Sequence, residues 1–327
     1  MKGVAVQKRI DGPVRVANAT RGVILAAGAI RTPQFLELSG IGDKSILQPL
    51  GIKTVLDLKG VGRNLQDQTM NSIAAKNTKQ FQGTGPSSTI AFPNVYQLFS
   101  NASAVRTDLQ NKLDSMAASV VSRGGAVNAN AVKAQWSVLI DQIWNRNVST
   151  MELFLDHGFP ANALGQDTWN LLVFSRGSTH IKDSSGWSYP TVDPAYYSLP
   201  VDVDFTIAGL RAARKIFQTK PISESLSGEL VPGFSKVPDN KDGGSYADWR
   251  KWISAYSAVA HQIGTCQMGV SPELGAVVDA NGRVYGVANG TLRIVDASIL
   301  PMQFSAHLSS TLYAVAERMA DAIANGQ

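Results

Sequence analysis

The chain has 327 residues, 44% of them hydrophobic, with 30 basic residues against 25 acidic ones and a formal net charge of +5. That is enough chain for one large domain or two ordinary ones, and no apolar run approaches the about 20 residues that would span a membrane. The basic residues are dispersed among the acidic ones with no stripe interleaved with aromatics, which argues against nucleic-acid binding, and the single cysteine, Cys266, excludes an internal disulfide.

Residues 3–8 and 14–19 alternate in polarity around the turn Asp11-Gly12-Pro13, a hairpin pattern. Residues 22–26 form a continuous apolar run, the kind buried on both faces of a sheet. Ala27-Gly28-Ala29 breaks it, and Thr32-Pro33 has the form of an N-cap with proline at the first helical position, with Gly40 closing that helix. Asp43 caps a second short helix through Leu47, residues 54–58 form a strand and residues 60–65 a loop. Residues 68–100 are rich in Ser, Thr, Asn and Gly and lack strong periodicity. Amphipathic stretches follow at 104–121 and 131–144, then strand-like pieces at 170–174 and 178–181 and a helix at 205–217, with Asp202 or Asp204 as its candidate cap. From Ser254 the pattern returns to glycine-rich strands and loops. It ends in a helix over 311–324 with Leu312, Val315, Met319 and Ile323 on one face. Segments 1–67 and 270–327 share apolar strands and tight glycine turns, and the middle differs. This predicts a mixed α/β, or α+β, fold in which a discontinuous domain carries an inserted one.

Four acceptor sequons, beginning at Asn18, Asn101, Asn147 and Asn289, favour a secreted protein, although residues 1–9 lack the apolar core of a signal peptide. His261 and His307 are two of only four histidines, and each sits in an apolar, glycine-broken run. Imidazole titrates near neutral pH, so it can accept and return a proton, and the pair points to a proton-transferring site. The alternative for either is a hydrogen-bonded core histidine, and that is the better reading of His157 and His180. Ala27 and Gly28 allow a backbone to approach a ligand closely, or simply make a tight turn. No metal site is expected.

The run of residues 23–42, Val-Ile-Leu-Ala-Ala-Gly-Ala-Ile-Arg-Thr-Pro-Gln-Phe-Leu-Glu-Leu-Ser-Gly-Ile-Gly, resembles a signature pattern of the glucose-methanol-choline (GMC) flavin oxidoreductases. Residues 60–68, Ser175-Arg-Gly177, Val192-Asp-Pro194 with Tyr196-Tyr197, and both histidine runs match in the same order. The resemblance runs from residue 3 to about 324 and is nearest to the family's fungal glucose oxidase and FAD-dependent glucose dehydrogenase branch, through residues 311–318. It implies FAD as cofactor and an alcohol or sugar as substrate, with oxygen or a quinone-like compound as electron acceptor. It implies that His261 takes the hydroxyl proton, with His307 as partner, while hydride leaves for flavin N5. By the same resemblance Ala27, Gly28, Asp296, Ala297, His307 and Leu308 contact the cofactor. Phe154 and Trp169 line the substrate pocket, with core packing as their alternative. Residues 1–67 and 270–327 would be a partial FAD-binding domain and 68–269 a substrate-binding domain of sheet plus helices.

Three departures qualify this. The dinucleotide fingerprint Gly-x-Gly-x-x-Gly is missing, because Gly60-Val-Gly62 is followed by Leu65 where the third glycine belongs. The chain is therefore expected to lack the nucleotide-binding half, with Met1 falling in mid-hairpin. Ser257 and Val259 stand where the glucose-oxidising branch has an arginine and an asparagine, which opens the site to less polar alcohols. Cys266 has no basic neighbour and is expected to be a packing thiol. A non-redox lyase or cyclase on the same scaffold, and an inactive truncated fragment, are the alternative functions.

Overall fold

We describe the protein from a computed structural model, over residues 3–78, 85–157, 163–240, 242–253 and 257–326. Ser254 and the side chains of Ser257 and Asn289 lie outside the described residues.

The chain opens with the expected antiparallel hairpin, β1 (Gly3–Val6) on β2 (Arg15–Asn18). β3 (Val23–Leu25) pairs in parallel with a strand from the far end of the chain, Leu292–Ile294. The apolar run is covered on one face only, not both: Val23 is buried, whereas Ile24 is 53% exposed. α1 (Gly28–Leu38) starts one turn before the Thr32-Pro33 pair expected to open it. Pro33 has no N–H for the carbonyl of Ala29, and the Thr265 hydroxyl donates to that carbonyl instead, at 2.5 Å. Thr32 accepts from the Ala27 N–H at 3.1 Å and donates to Asp296 at 2.5 Å. Tertiary partners thus supply what a proline costs a helix interior.

β4 (Ile41–Gly42) and β5 (Leu56–Asp57) pair in parallel around α2 (Lys44–Leu47), whose N-cap Asp43 accepts from the Ser45 N–H at 2.9 Å. β6 (Arg63–Leu65) follows. The stretch that looked aperiodic contains β7 (Thr69–Asn77), β8 (Gly85–Ala91) and the helical turn α3 (Val95–Leu98). The buried face of β7 begins with Thr69 and Asn71, whose polarity masks the alternation; Asn71 donates to the Tyr197 hydroxyl at 2.7 Å. α4 (Ala102–Ser122) and α5 (Ala129–Ile140) match the amphipathic stretches. They bury Leu109, Ala117, Val120, Trp136 and Leu139 in one cluster with Phe174 and Phe205.

β9 (Met151–His157) and β10 (Ala163–Asn170) come next. β10 ends where the sequence had suggested a strand would begin, and residues 171–174 are buried without being part of it. β11 (Gly177–His180) pairs with β12 (Thr191–Asp193) and with β6. α6 (Pro200–Phe217) starts earlier than expected, and its N-cap is Leu199. Asp202 does not cap it; the carboxylate accepts the backbone N–H groups of Phe174 and Ser175 at 2.8 and 2.7 Å. β13 (Leu226–Val231), α7 (Tyr246–Trp252), β14 (Ser257–Ala258), β15 (Leu292–Ile294) and α8 (Ser309–Ala324) complete the chain.

The main sheet runs β13-β7-β10-β9-β8, all antiparallel, with β14 also on β7. Side chains alternate across it. Ile73, Ala75, Leu153 and Leu164 pack on Ile207, Leu210, Ala213 and Phe217 of α6. The residues between them therefore face the opposite way. Register sets Trp169 between Met70 and Glu152, and Asp167 between Ser72 and Phe154. A separate cluster joins Val23, Leu36, Ile41, Leu58 and Val61 to Cys266, Val277, Val284, Leu292, Ile294, Ile299 and Met319. No helix among the described residues is long and apolar enough to cross a membrane.

Candidate active site

The free face of the sheet is where the two singled-out histidines meet. The His261 and His307 rings lie 5.2 Å apart, centroid to centroid, at 66°. Trp169 of β10 serves as a floor for both. It stacks on His307 at 4.6 Å and 25° and meets His261 edge-on at 5.7 Å. Phe154 lies 6.4 Å from Trp169 across the β9–β10 pair. The buried indole N–H of Trp169 has no hydrogen-bond partner among the described residues.

His261 follows a strained residue: Ala260 has φ +59°, a left-handed conformation that L-residues rarely adopt. Both flanks of the histidine are fixed. Its N–H donates to Asp67 at 2.9 Å, and its carbonyl accepts from Gln303 at 2.8 Å. Asp67 also accepts from the Tyr196 hydroxyl and from Gln262, the latter at 2.8 Å, and burial holds its carboxyl above the ordinary value of 3.8. Glycine carries no Cβ penalty at positive φ. Ala260→Gly is expected to raise stability by about 0.5–1 kcal/mol, after the added entropy of the unfolded chain is deducted. Ala260→Val should lower it by about 1–3 kcal/mol. Denaturant midpoints check both.

The ring of His261 meets Gln68, Nδ1 lying 2.7 Å from Oε1. Burial, and the neighbouring His307, hold its imidazole below the ordinary value of 6.5. His307 differs. It is 48% exposed, and its Nε2 contacts both oxygens of Glu152, at 2.9 and 3.1 Å. Glu152 is fully buried. The sequence reading missed Glu152 and Gln68. The signal for Glu152 was a lone carboxylate in the run Met151-Glu-Leu-Phe-Leu155, two residues from Phe154 and so on the same face. Gln68 gave no comparable signal.

The residues expected at the cofactor fall in two places. Gly28, Asp296 and Ala297 line a groove of about 470 Å³ with Ala26, Val295, Ser309, Leu312, Tyr313, Val315 and Ala316. Ala27 is exposed beside it. Gly28 has φ +79°, and a Cβ built on it would meet nothing within 4 Å, so the backbone there borders open space. Asp296 spends its carboxylate on the protein, accepting from Gly28 N–H at 3.0 Å, the Thr32 hydroxyl and Ser298 N–H at 2.8 Å. His307 belongs to the histidine pair, and Leu308 is buried against Ile263 and Leu300 at the N-cap of α8. One short segment, 307–309, thus connects pair and groove. His180 is elsewhere, its Nδ1 2.7 Å from the buried Glu37 of α1, and Cys266 is fully buried, with burial raising its thiol well above the ordinary value.

Residues 1–70 and 173–316 match the two models of one family, described as GMC oxidoreductase. The chain belongs to the GMC oxidoreductase family. It is 38% identical over 308 residues to a glucose oxidase of Aspergillus carbonarius, covering 93% of this chain and 49% of that one. To glucose oxidase 1 of Penicillium expansum it is 37% identical over 310 residues, covering 93% and 48%. The solved structure of a fungal aryl-alcohol oxidase superposes with a TM-score of 0.85 at 26% identity, over 98% of this chain and 57% of that one. The chain spans about half the length of the curated relatives it matches.

Proposed function

We propose that this chain carries the substrate site and part of the cofactor site of an FAD-dependent oxidoreductase acting on the CH–OH group of an alcohol or sugar, with His261 as the base. The observation that carries this is the unlike environment of two adjacent imidazoles. Burial favours the neutral form of His261, and His307 rests on a buried carboxylate. A neutral imidazole can take the hydroxyl proton. His307, its Nε2 bonded to Glu152, is fixed beside the same substrate oxygen as a second polar group. The unpartnered indole N–H of Trp169 is available to the same oxygen.

The groove fits an extended, largely apolar ring system approached by backbone at Gly28. We assign Ala27, Gly28, Asp296 and Ala297 to holding the FAD, Asp296 through its backbone because its carboxylate is already engaged. His307 and Leu308 border it through the start of α8. FAD, when bound, supplies the hydride acceptor. The separate core cluster around β3, β15 and α8 supports a division into 1–67 with 270–327 on the cofactor side and 68–269 on the substrate side, although Cys266 packs with the former. Exposed Asn18, Asn101 and Asn147 are compatible with a glycosylated, secreted protein.

The test is anaerobic. The chain carrying bound FAD should lose its flavin absorbance when alcohol or sugar is added. Bound flavin that neither glucose nor benzyl alcohol bleaches would refute the proposal. The aromatic pair Phe154 and Trp169, with Ser257 and Val259 in place of sugar-holding side chains, favours an alcohol with an apolar face. kcat/KM is accordingly expected to be higher for benzyl alcohol than for glucose.

pH dependence follows from the sign of the His261 shift. The reacting form is the unprotonated one, and its folded-state titration lies below 6.5. The acid limb of the rate should therefore be centred below pH 6.5. A decline centred above 6.5 in the pH profile of kcat/KM would contradict it. The same shift means that folding loses stability below pH 6.5, since the unfolded chain binds the proton more readily.

A further inference from the structure

We propose that Gln68 is a positioning residue that holds His261 in the tautomer with a bare Nε2, a proposal that rests on the reading of His261 as base. Gln68 immediately precedes β7 and is fully buried. Its amide nitrogen lies 3.1, 3.2 and 3.3 Å from the carbonyl oxygens of Leu171, Phe304 and Ala306. Carbonyl oxygens only accept, so the NH₂ group must face them; turning the amide over would set an oxygen against three oxygens. Oε1 is thereby aimed at His261 Nδ1, 2.7 Å away. An amide oxygen has no proton to give, so Nδ1 must be the donor. A neutral imidazole carries one N–H, and Nε2 keeps its lone pair.

The identity of the orienting group matters as much as its position. A carboxylate at Nδ1 would fix the same tautomer but would also favour the imidazolium. Among the described residues no carboxylate is hydrogen-bonded to the His261 ring. Asp67 takes the backbone N–H of His261, Glu152 lies under His307, and Coulombic repulsion from His307 adds to burial in disfavouring a charge on His261. A neutral acceptor at Nδ1 selects the tautomer without stabilising the proton on Nε2. Two of the three carbonyls holding Gln68, those of Phe304 and Ala306, belong to the segment that carries His307. One amide thus ties the orientation of the first histidine to the backbone of the second.

Long-range proton–nitrogen correlation NMR on the ¹⁵N-labelled chain reads this directly, with His261 assigned by the loss of its signals in His261→Asn. At a pH where His261 is neutral, the wild-type chain should show a protonated Nδ1 and a bare Nε2. Gln68→Met, close in shape but without the acceptor, should move the proton toward Nε2. A wild-type His261 protonated on Nε2, or a Gln68→Met chain that keeps the wild-type tautomer, overturns the proposal. The wild-type measurement decides alone if the variant does not fold. Neither measurement needs flavin or turnover, so an error in the base assignment would appear separately, as an unchanged rate in His261→Asn.

Discussion

His261→Asn is expected to slow reduction of bound flavin by alcohol about 10²- to 10⁴-fold, the usual worth of a positioned general base. The loss should fall on kcat, with a smaller change in KM. The reason is geometric. The links that fix residue 261 in the chain are made by its backbone, the N–H to Asp67 and the carbonyl to Gln303, and they survive the substitution. Only the imidazole is removed, together with its contact to Gln68 and its edge-on packing against Trp169. Flavin binding should persist, because the groove lined by Gly28, Asp296 and Leu312 includes no atom of His261. A variant that binds flavin and is reduced at the wild-type rate would show that the hydroxyl proton goes elsewhere. His307→Asn should also slow the step. The two losses together should be less than additive, because the residues act on the same oxygen.

The histidine pair was legible because both residues lie in distinctive runs of sequence, and the structure brings those runs to one point above Trp169. α4, α5 and α8 were legible because their apolar stripes recur at helical spacing. What was hidden shares one cause: local sequence does not show which partner a residue will find. Pro33 looked like a helix start because the Thr265 hydroxyl, which satisfies Ala29, is more than two hundred residues away. β7 looked like a loop because Thr69 and Asn71 are polar but buried. The run at 22–26 looked doubly buried because its composition cannot reveal that β3 is covered on one side only. Glu152 is the telling omission at the site. An acid in a short apolar strand looks like a surface residue until strand register places it beside Trp169 and beneath His307.

Glu152→Gln should produce a loss and a displacement together. The rate of flavin reduction is expected to fall by about one to two orders of magnitude, in line with removing a charge-assisted hydrogen bond worth about 1.5–3 kcal/mol. Glutamine keeps the shape and can still accept from Nε2, so the fold and the stacking of His307 on Trp169 should be preserved. What disappears is a negative charge in a fully buried place, where little water is available to screen it. Without it, positive charge on His307 is less favoured, and the repulsion that His307 exerts on His261 weakens. That repulsion is one of the two causes holding His261 below 6.5; burial is the larger. The acid limb of kcat/KM should therefore move toward 6.5 in the variant without passing it, because burial still acts. A role confined to packing predicts a slower enzyme with an unmoved limb. A coupled pair, in which the carboxylate bonded to His307 also bears on the proton affinity of His261, predicts both changes from a single substitution.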